Sequence, residues 1–324
     1  MTMRKNPIVT LLVLGLVFVL LFLFSLSVGA SGHLSPDEVW AQLQKGRSVV
    51  SLFRLPRTLA ALLVGACFAL SGCMLQTLTR NSLASPDLIG VTSGGALATI
   101  VAILLAGHQT GPYLPWIAFL GASLMAALVW KLGRGASAQR FVLTGVALTA
   151  IAQAFITLLL VTYAPSAAEA MIWLKGSLFG RNWEHVYHIL PWALVAGVGG
   201  FLLANQSNPL MLGEPTARGL GVRVEQLRKA LWFLSVVAAA GAVAVAGTIG
   251  FVGLLVPHAA RKLGGADLRV SLPLAALLGA CMVTAADTLG RVIAPPLEIP
   301  AGLICAVLGA PYFAFLLWKG KTAL

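Results

Sequence analysis

The chain reads as an all-α, polytopic membrane protein: one transmembrane domain over residues 1–324, built from about ten helices. Three observations predict this class. Hydrophobic residues make up 59% of the chain and charged residues 10%, with a mean hydropathy of +0.92, far from the roughly 25% charged residues of a soluble domain. The apolar residues fall in continuous runs instead of alternating, which excludes a membrane β-barrel. The polar inserts between runs are all short, so no soluble domain or linker interrupts the chain.

A hydrocarbon core about 30 Å thick takes about 20 apolar residues per helix, and the backbone must satisfy itself within each segment. Apolar segments lie at roughly 8–30, 57–78, 88–106, 113–132, 141–163, 189–204, 230–248, 250–260, 271–291 and 301–318. The eighth is too short to span alone and is divided from the seventh only by "GTIGFVG". The N-terminus imitates a signal peptide with cleavage after Ala30, but the run from Ile8 exceeds a typical h-region, so a retained first helix is expected.

The formal charge of +12 raises the question of nucleic acid, which the placement of the basic residues answers in the negative. With a cytoplasmic N-terminus and ten crossings, fifteen of the 22 basic residues fall on the inner side: Arg4, Lys5, Arg80, Lys131, Arg134, Arg140, Arg218, Arg223, Arg228, Lys229, Arg261, Lys262, Arg269, Lys319 and Lys321. Lys45, Arg47, Arg54, Arg57, Lys175, Arg181 and Arg291 fall outside. The bias has the sign expected of a membrane protein with both termini in the cytoplasm. Membrane lipid is the implied partner of much of this charge.

Cys67, Cys73, Cys281 and Cys305 lie in apolar runs without metal-ligand spacing and read as packing residues. The small residues at helical spacing, Gly65, Ala69 and Cys73 or Gly90 and Gly94, suit close helix approach in lipid. His33, His108, His185, His188 and His258 are scattered and suggest no metal site. The C-terminal "KGKTAL" imitates a phosphate-binding loop, but Phe315 stands where that motif needs glycine, so the chain shows no nucleotide site. Asp287, inside the ninth run, needs a partner; Arg291, four residues on, supplies one on the same helical face.

Four stretches go beyond composition: "FRLPRTLAALLVGACFALSGCMLQTLTRNSLASPDLIGVTSGGAL" (53–97), "LTGVAL" with "WLKGSLFGRNW" (143–148 and 173–183), "GEPTARGLGV" (213–222), and the region from "GTIGFVGLLVPHAARKLGG" to "ADTLGRVIAPPLEIPAGLICAVLGAPYFAFLL" (247–317). On these residues the chain resembles the permease subunits of bacterial ATP-driven importers for iron chelates and cobalamin, the FecCD family. The resemblance runs nearly the full length, in order and without a large insertion.

The resemblance implies a type II ABC importer permease fold: ten helices per subunit and a second permease subunit, identical or not. It also implies two cytoplasmic ATPase subunits and an external substrate-binding protein. ATP and magnesium would then reside in the partners, with no cofactor, no metal and no catalytic residue in this chain. Arg54, Arg57 and Arg291 match the family's docking positions for the binding protein, although snorkelling of Arg54 and Arg57 at a helix end is the simpler use.

"GEPTARGLGV" matches the family's coupling loop, a pair of short helices seated on the ATPase. Its core is Gly213, Glu214, Ala217, Arg218, Gly219, Leu220 and Gly221, with Glu214 and Arg218 placed to pair at i, i+4. Arg223, Arg228 and Lys229 suit lipid headgroups. Pro257, His258 and Arg261 would sit at the inner end of the eighth segment beside that loop. "RNSLASPDLIG" forms an inner turn, with Ser82 where the family more often has proline. The family's path runs along the second, fifth and tenth helices, which makes Gln76, Thr144 and Gln153 candidate lining residues.

The resulting expectation is a multi-pass permease of the bacterial cytoplasmic membrane that carries a ferric siderophore or ferric citrate. Cobalamin and haem are the alternatives within the family. A secondary transporter with Asp287 as proton carrier is the alternative outside it. A membrane-embedded enzyme lacks a catalytic cluster.

Overall fold

A computed structural model describes residues 7–29, 32–106, 111–133, 138–163 and 167–320. Ala30, Arg4, Lys5, His108, Arg134 and Lys321 lie outside the described residues. Each of the ten apolar segments becomes a helix. These are α1 (Pro7–Ser27), α3 (Leu55–Thr79), α4 (Val91–Ala106), α5 (Leu114–Gly133), α6 (Ala138–Thr162), α8 (Trp183–Met211), α10 (Val224–Ala246), α11 (Val252–Gly264), α12 (Leu268–Ile293) and α13 (Ala301–Gly320). Three shorter helices join them: α2 (Pro36–Gln44), α7 (Ala167–Leu174) and α9 (Glu214–Gly219). Among the described residues seven helices are long and apolar enough to cross a membrane by length and composition; α4 and α13 are shorter apolar helices.

The one strand pair, Val28–Gly29 with Gly32–His33, is antiparallel and follows α1 directly. A π-helical turn, Val50–Arg54, leads into α3. The sixth segment starts earlier than its apolar run suggests, because Asn182 and His185 form a capping box that extends α8 back to Trp183. His185 thus serves helix initiation, and His188 meets the edge of Trp116.

α3 and α10 are the interior of the bundle, each 83% buried over its span, while α1, α6 and α8 are largely exposed along theirs. α3 packs against α12, α10, α8 and α11. Lipid is as apolar as leucine, so this packing has to come from close approach rather than from the hydrophobic effect. Glycine provides it at two levels. A β-carbon on Gly65 would fall 2.1 Å from the Gly279 carbonyl oxygen of α12, and one on Gly279 would fall 2.3 Å from the Gly65 oxygen. About two turns further along α3, a β-carbon on Gly72 would fall 1.9 Å from the Gly253 oxygen of α11. The helices touch backbone to backbone.

The ends of α3 define two regions. At the α2 end lie Ser25, Arg54, Arg57, Asp287 and Arg291; at the α9 end lie Gln76, Arg80, Met211 and Arg261. The turn before α12 belongs to the α9 end. There Asp267 caps the helix by accepting from the Arg269 N–H and binds the Arg269 guanidinium, while Asn208 of α8 donates to the same carboxylate. These donors hold the Asp267 carboxyl well below the usual carboxylate range, the Arg269 side chain contributing most.

Gly65→Val should separate α3 from α12 and cost about 2 kcal/mol or more, as overpacking does. Gly15→Val, at a position with open space around it, should cost nothing measurable. Thermal unfolding of both variants in detergent, followed by size-exclusion, checks the contrast.

Candidate functional site

At the α2 end the cationic side chains converge on one carboxylate. Arg57, on the first turn of α3, faces Asp287 of α12 with its Nε 3.2 and 3.1 Å from the two carboxylate oxygens and its Nη2 2.8 Å from Oδ1. Arg291, on the same helix as Asp287, places Nη2 3.1 Å from Oδ2, the i, i+4 pair that the spacing predicts. Asp287 is 2% exposed. Glu298, in the loop between α12 and α13, lies 2.7 Å from the same Nη2 of Arg57.

Most of the remaining donors are taken by backbone at the end of α1 and in the strand pair that follows it. Arg291 Nη1 donates to the carbonyls of Ser25 (3.1 Å) and Val28 (2.8 Å), and Nη2 donates to the Ser25 hydroxyl (2.7 Å). Arg54 Nη1 donates to the carbonyls of Leu26 and Ser27, and Nη2 to that of Gly32. Ser25 also shares a hydrogen bond with Thr58 of α3. Two arginines thus stitch the end of α1 to α3 and α12. Cleavage after Ala30 would remove most of the carbonyls that hold them, which argues for α1 as a working part of the bundle.

This geometry corrects two expectations. Arg54 and Arg291 are 7% and 3% exposed, with their guanidiniums bound inside the chain, so neither presents a charge to a docking protein or snorkels to a headgroup. Of the three, Arg57 keeps the most exposure, 13% of its side chain, and it is already shared between two carboxylates. Asp287 binds two guanidiniums at once, the geometry of a structural ion pair joining α3 to α12.

At the α9 end the polar segment folds into one six-residue helix, α9, and a turn, where the resemblance implies a pair of helices. Gly213 opens it at φ 117° and Gly221 closes it at φ 80°, conformations that side chains rarely adopt. Ala217 is fully buried and anchors the element, and its carbonyl accepts from the Val222 N–H at 3.0 Å. Glu214 pairs with Arg228 of α10 at 2.7 Å and more loosely with Arg218 at 3.6 Å. Arg228 therefore ties α9 to α10 and is not a free headgroup contact, whereas Arg223 and Lys229 are exposed. Leu220 is 64% exposed, the Arg218 side chain 63%, and Gly219 faces open space. The result is a small platform held from below with an arginine and a leucine standing off it.

Between these regions α11 carries Pro257 in its middle, buried, rather than at its end. Proline has no N–H, so the Gly253 carbonyl lacks its helical partner. Gln76 of α3 reaches across, its Nε2 3.1 Å from the Leu254 oxygen and 3.5 Å from that of Gly253, while its Oε1 accepts from Arg261. Gln76 is 4% exposed, so it is a bond between helices and not a lining residue free to meet cargo. His258 is half-buried, and its Nε2 has no hydrogen-bond partner among the described residues. Arg261 borders the same cavity as Met211, at the foot of α9.

Thr144 and Gln153 lie on α6. Thr144 is half-buried with its hydroxyl donated to the Arg140 carbonyl, and Gln153 is exposed among Ile151, Phe155 and Leu158. Both sit on an exposed helix face. The residues that composition and motif did not single out are Ser25, Thr58, Glu298 and Thr288, whose hydroxyl accepts from Arg291 Nη2 at 3.2 Å. Glu298 carried a signal, being a carboxylate in the motif "PPLEIP" close to the unexplained outer arginines; the carbonyl acceptors carried none.

Asp287→Asn should leave Arg57 and Arg291 without their shared counter-charge and cost about 3 kcal/mol, the scale for breaking a buried ion pair. Asp287→Asn combined with Arg57→Met should recover part of that loss. Thermal unfolding of the three proteins measures both.

The comparisons with known proteins agree with this architecture. The Fe(3+)-citrate import system permease protein YfmE of Bacillus subtilis (strain 168) is 41% identical over 320 residues, covering 97% of this chain and 96% of the relative. The Fe(3+) dicitrate transport system permease protein FecD of Escherichia coli (strain K12) is 38% identical over 269 residues, covering 83% of this chain and 85% of the relative. Among solved structures, an ABC transporter assigned to the metal-chelate type, in an inward-facing conformation, superposes with a TM-score of 0.83 at 33% identity, over 96% of this chain and 99% of that one. The family model described as the FecCD transport family matches residues 16–319, and the chain belongs to that family.

Proposed function

We propose that this chain is the membrane-spanning permease of an ATP-driven importer that moves a ferric chelate, ferric citrate or a related siderophore, across the bacterial cytoplasmic membrane. The permeases it resembles are named for ferric citrate import. Two permease subunits, two ATPases and an external binding protein make up the assembly in this reading. The α9 end faces the cytoplasm, in keeping with the inward excess of basic residues. The exposed face of α6, with Thr144 and Gln153, meets the second permease subunit across the path.

One observation carries the mechanism: α9 is fixed to the bundle by Ala217 and the Glu214–Arg228 pair, yet offers Arg218 and Leu220 outward. A chain with no phosphate-binding motif needs a partner to convert ATP hydrolysis into motion. A seated helix with a projecting apolar residue and a charge is suited to receive that motion. Displacement of α9 passes to α8 and α10, on which it packs, and α10 packs on α3. At the other end, Arg57 is the arginine of the three whose side chain keeps some exposure toward an acidic docking protein.

Arg218→Glu with Leu220→Asp should reduce ATP-dependent uptake of radiolabelled ferric citrate into proteoliposomes by about tenfold or more, as loss of an interface anchor does. Expression and unfolding temperature should stay at wild-type values, because both side chains point away from the bundle. Uptake at the wild-type rate would remove α9 from the coupling path. Uptake driven by a proton gradient without ATP would overturn the reading as a whole.

A further inference from the structure

The α9 end holds a cavity of about 260 Å³ bordered by Gln76, Arg80, Asn81, Ser82, Met211 and Arg261. Arg80 also borders an adjoining recess of about 410 Å³ with Thr79, Asn81 and Gln139. Neither lining contains a carboxylate. Among the described residues Arg80 makes no ion pair, and Arg261 bonds only to the neutral amide of Gln76. Most other arginines described above meet an acid: Arg57 and Arg291 meet Asp287, Arg228 meets Glu214 and Arg269 meets Asp267. Arg54 is held by three backbone carbonyls, whereas this cavity has two guanidiniums and a neutral amide.

The Arg80 backbone and the Arg261 side chain are also held in place. Arg80 stands at the C-cap of α3 in the left-handed conformation, φ 51°, with its amide N–H bound to the Gln76 carbonyl. Arg261 is held by Gln76, which is held in turn by α11. Asn81 accepts from the Leu83 N–H through Oδ1, which leaves its NH2 as a donor. A concave site with two guanidiniums concentrates positive potential, and the guanidinium fork matches the paired oxygens of a carboxylate or phosphate.

We infer that the cavity between Arg80 and Arg261 is a binding site for a small oxyanion, carboxylate or phosphate, at the foot of α9. A β-carbon on Gly213, the residue that opens α9, would lie 3.7 Å from Arg80 Nη1. The anion therefore binds beside the residue at which the platform begins. Two sources share this chemistry, a soluble carboxylate or phosphate and the headgroup of an anionic phospholipid. The site stands on the cavity alone and does not require the import reading.

The test is calorimetric titration of citrate and of inorganic phosphate into the full chain at low ionic strength, in nanodiscs of phosphatidylcholine. Wild type should bind both anions, more weakly as salt rises. Arg80→Gln should weaken binding about tenfold, the scale for losing one charge-assisted hydrogen-bonding partner. Arg80→Lys should restore part of it. Arg223→Gln, which removes an exposed charge on the same face, should leave binding unchanged.

Repeating the titration with phosphatidylglycerol in the nanodiscs separates the sources. Competition that depends on Arg80 supports the site with a lipid phosphate as its occupant. Unchanged citrate binding supports it with a soluble anion. Equal binding by wild type and Arg80→Gln, or equal loss in Arg223→Gln, would overturn the proposal. Because binding is read on the permease alone, that failure would leave the uptake assay to judge the import reading separately.

Discussion

The structure depends on how closely α3 can approach its neighbours. In lipid no hydrophobic effect draws helices together, so contact area and internal hydrogen bonds must hold the bundle. The facing glycines of α3, α11 and α12 bring backbones into contact over several turns. That approach makes the longer-range bonds possible: Arg57 can reach Asp287 across 230 residues of sequence, and Gln76 can reach Leu254 across 178. α3 acts as a strut whose two ends are the two polar regions of the molecule.

The two ends are built on opposite electrostatic plans. At the α2 end three arginines and two carboxylates are packed together, with backbone carbonyls completing the shell. Such a cluster is costly to bury and costlier to break, so it fixes geometry more than it adds stability. At the α9 end the ion pairs are half-exposed, each worth little by itself, and one cavity retains uncompensated positive charge. A densely bonded clamp at the α2 end and a more exposed platform at the α9 end suit the proposed machine, driven from one side.

Much of the fold was legible in the sequence, and for physical reasons. Hydrocarbon demands long apolar runs, so all ten segments were visible as runs, and glycine at 213 and 221 marked the turns of α9. What stayed hidden was partnership. A sequence displays Arg54 and Arg291 as outer charges but does not display the carbonyls of Ser25, Leu26, Ser27, Val28 and Gly32, which become acceptors only once α1 ends and the chain doubles back. Arg228 reads as a lipid contact until α9 folds against α10 and brings Glu214 beside it. Gln76 reads as a polar lining residue because nothing local shows that Pro257 leaves a carbonyl short of a donor. The i, i+4 pair of Asp287 and Arg291 was visible because both partners share one helix; its third member, on α3, was not.

The central claim, that α9 receives the force of a partner ATPase, is tested most directly by cross-linking. The native cysteines at 67, 73 and 305 are buried and Cys281 is half-buried, so Leu220→Cys would add one exposed thiol at the α9 platform. Phe179→Cys adds one away from it, at a residue 65% exposed. With a maleimide carrying a photoreactive benzophenone, illuminated in membranes that contain the assembled transporter, position 220 should join to the ATPase subunit, in a yield that changes on addition of ATP, and position 179 should not. Failure of position 220 to cross-link while position 179 does so would contradict the account.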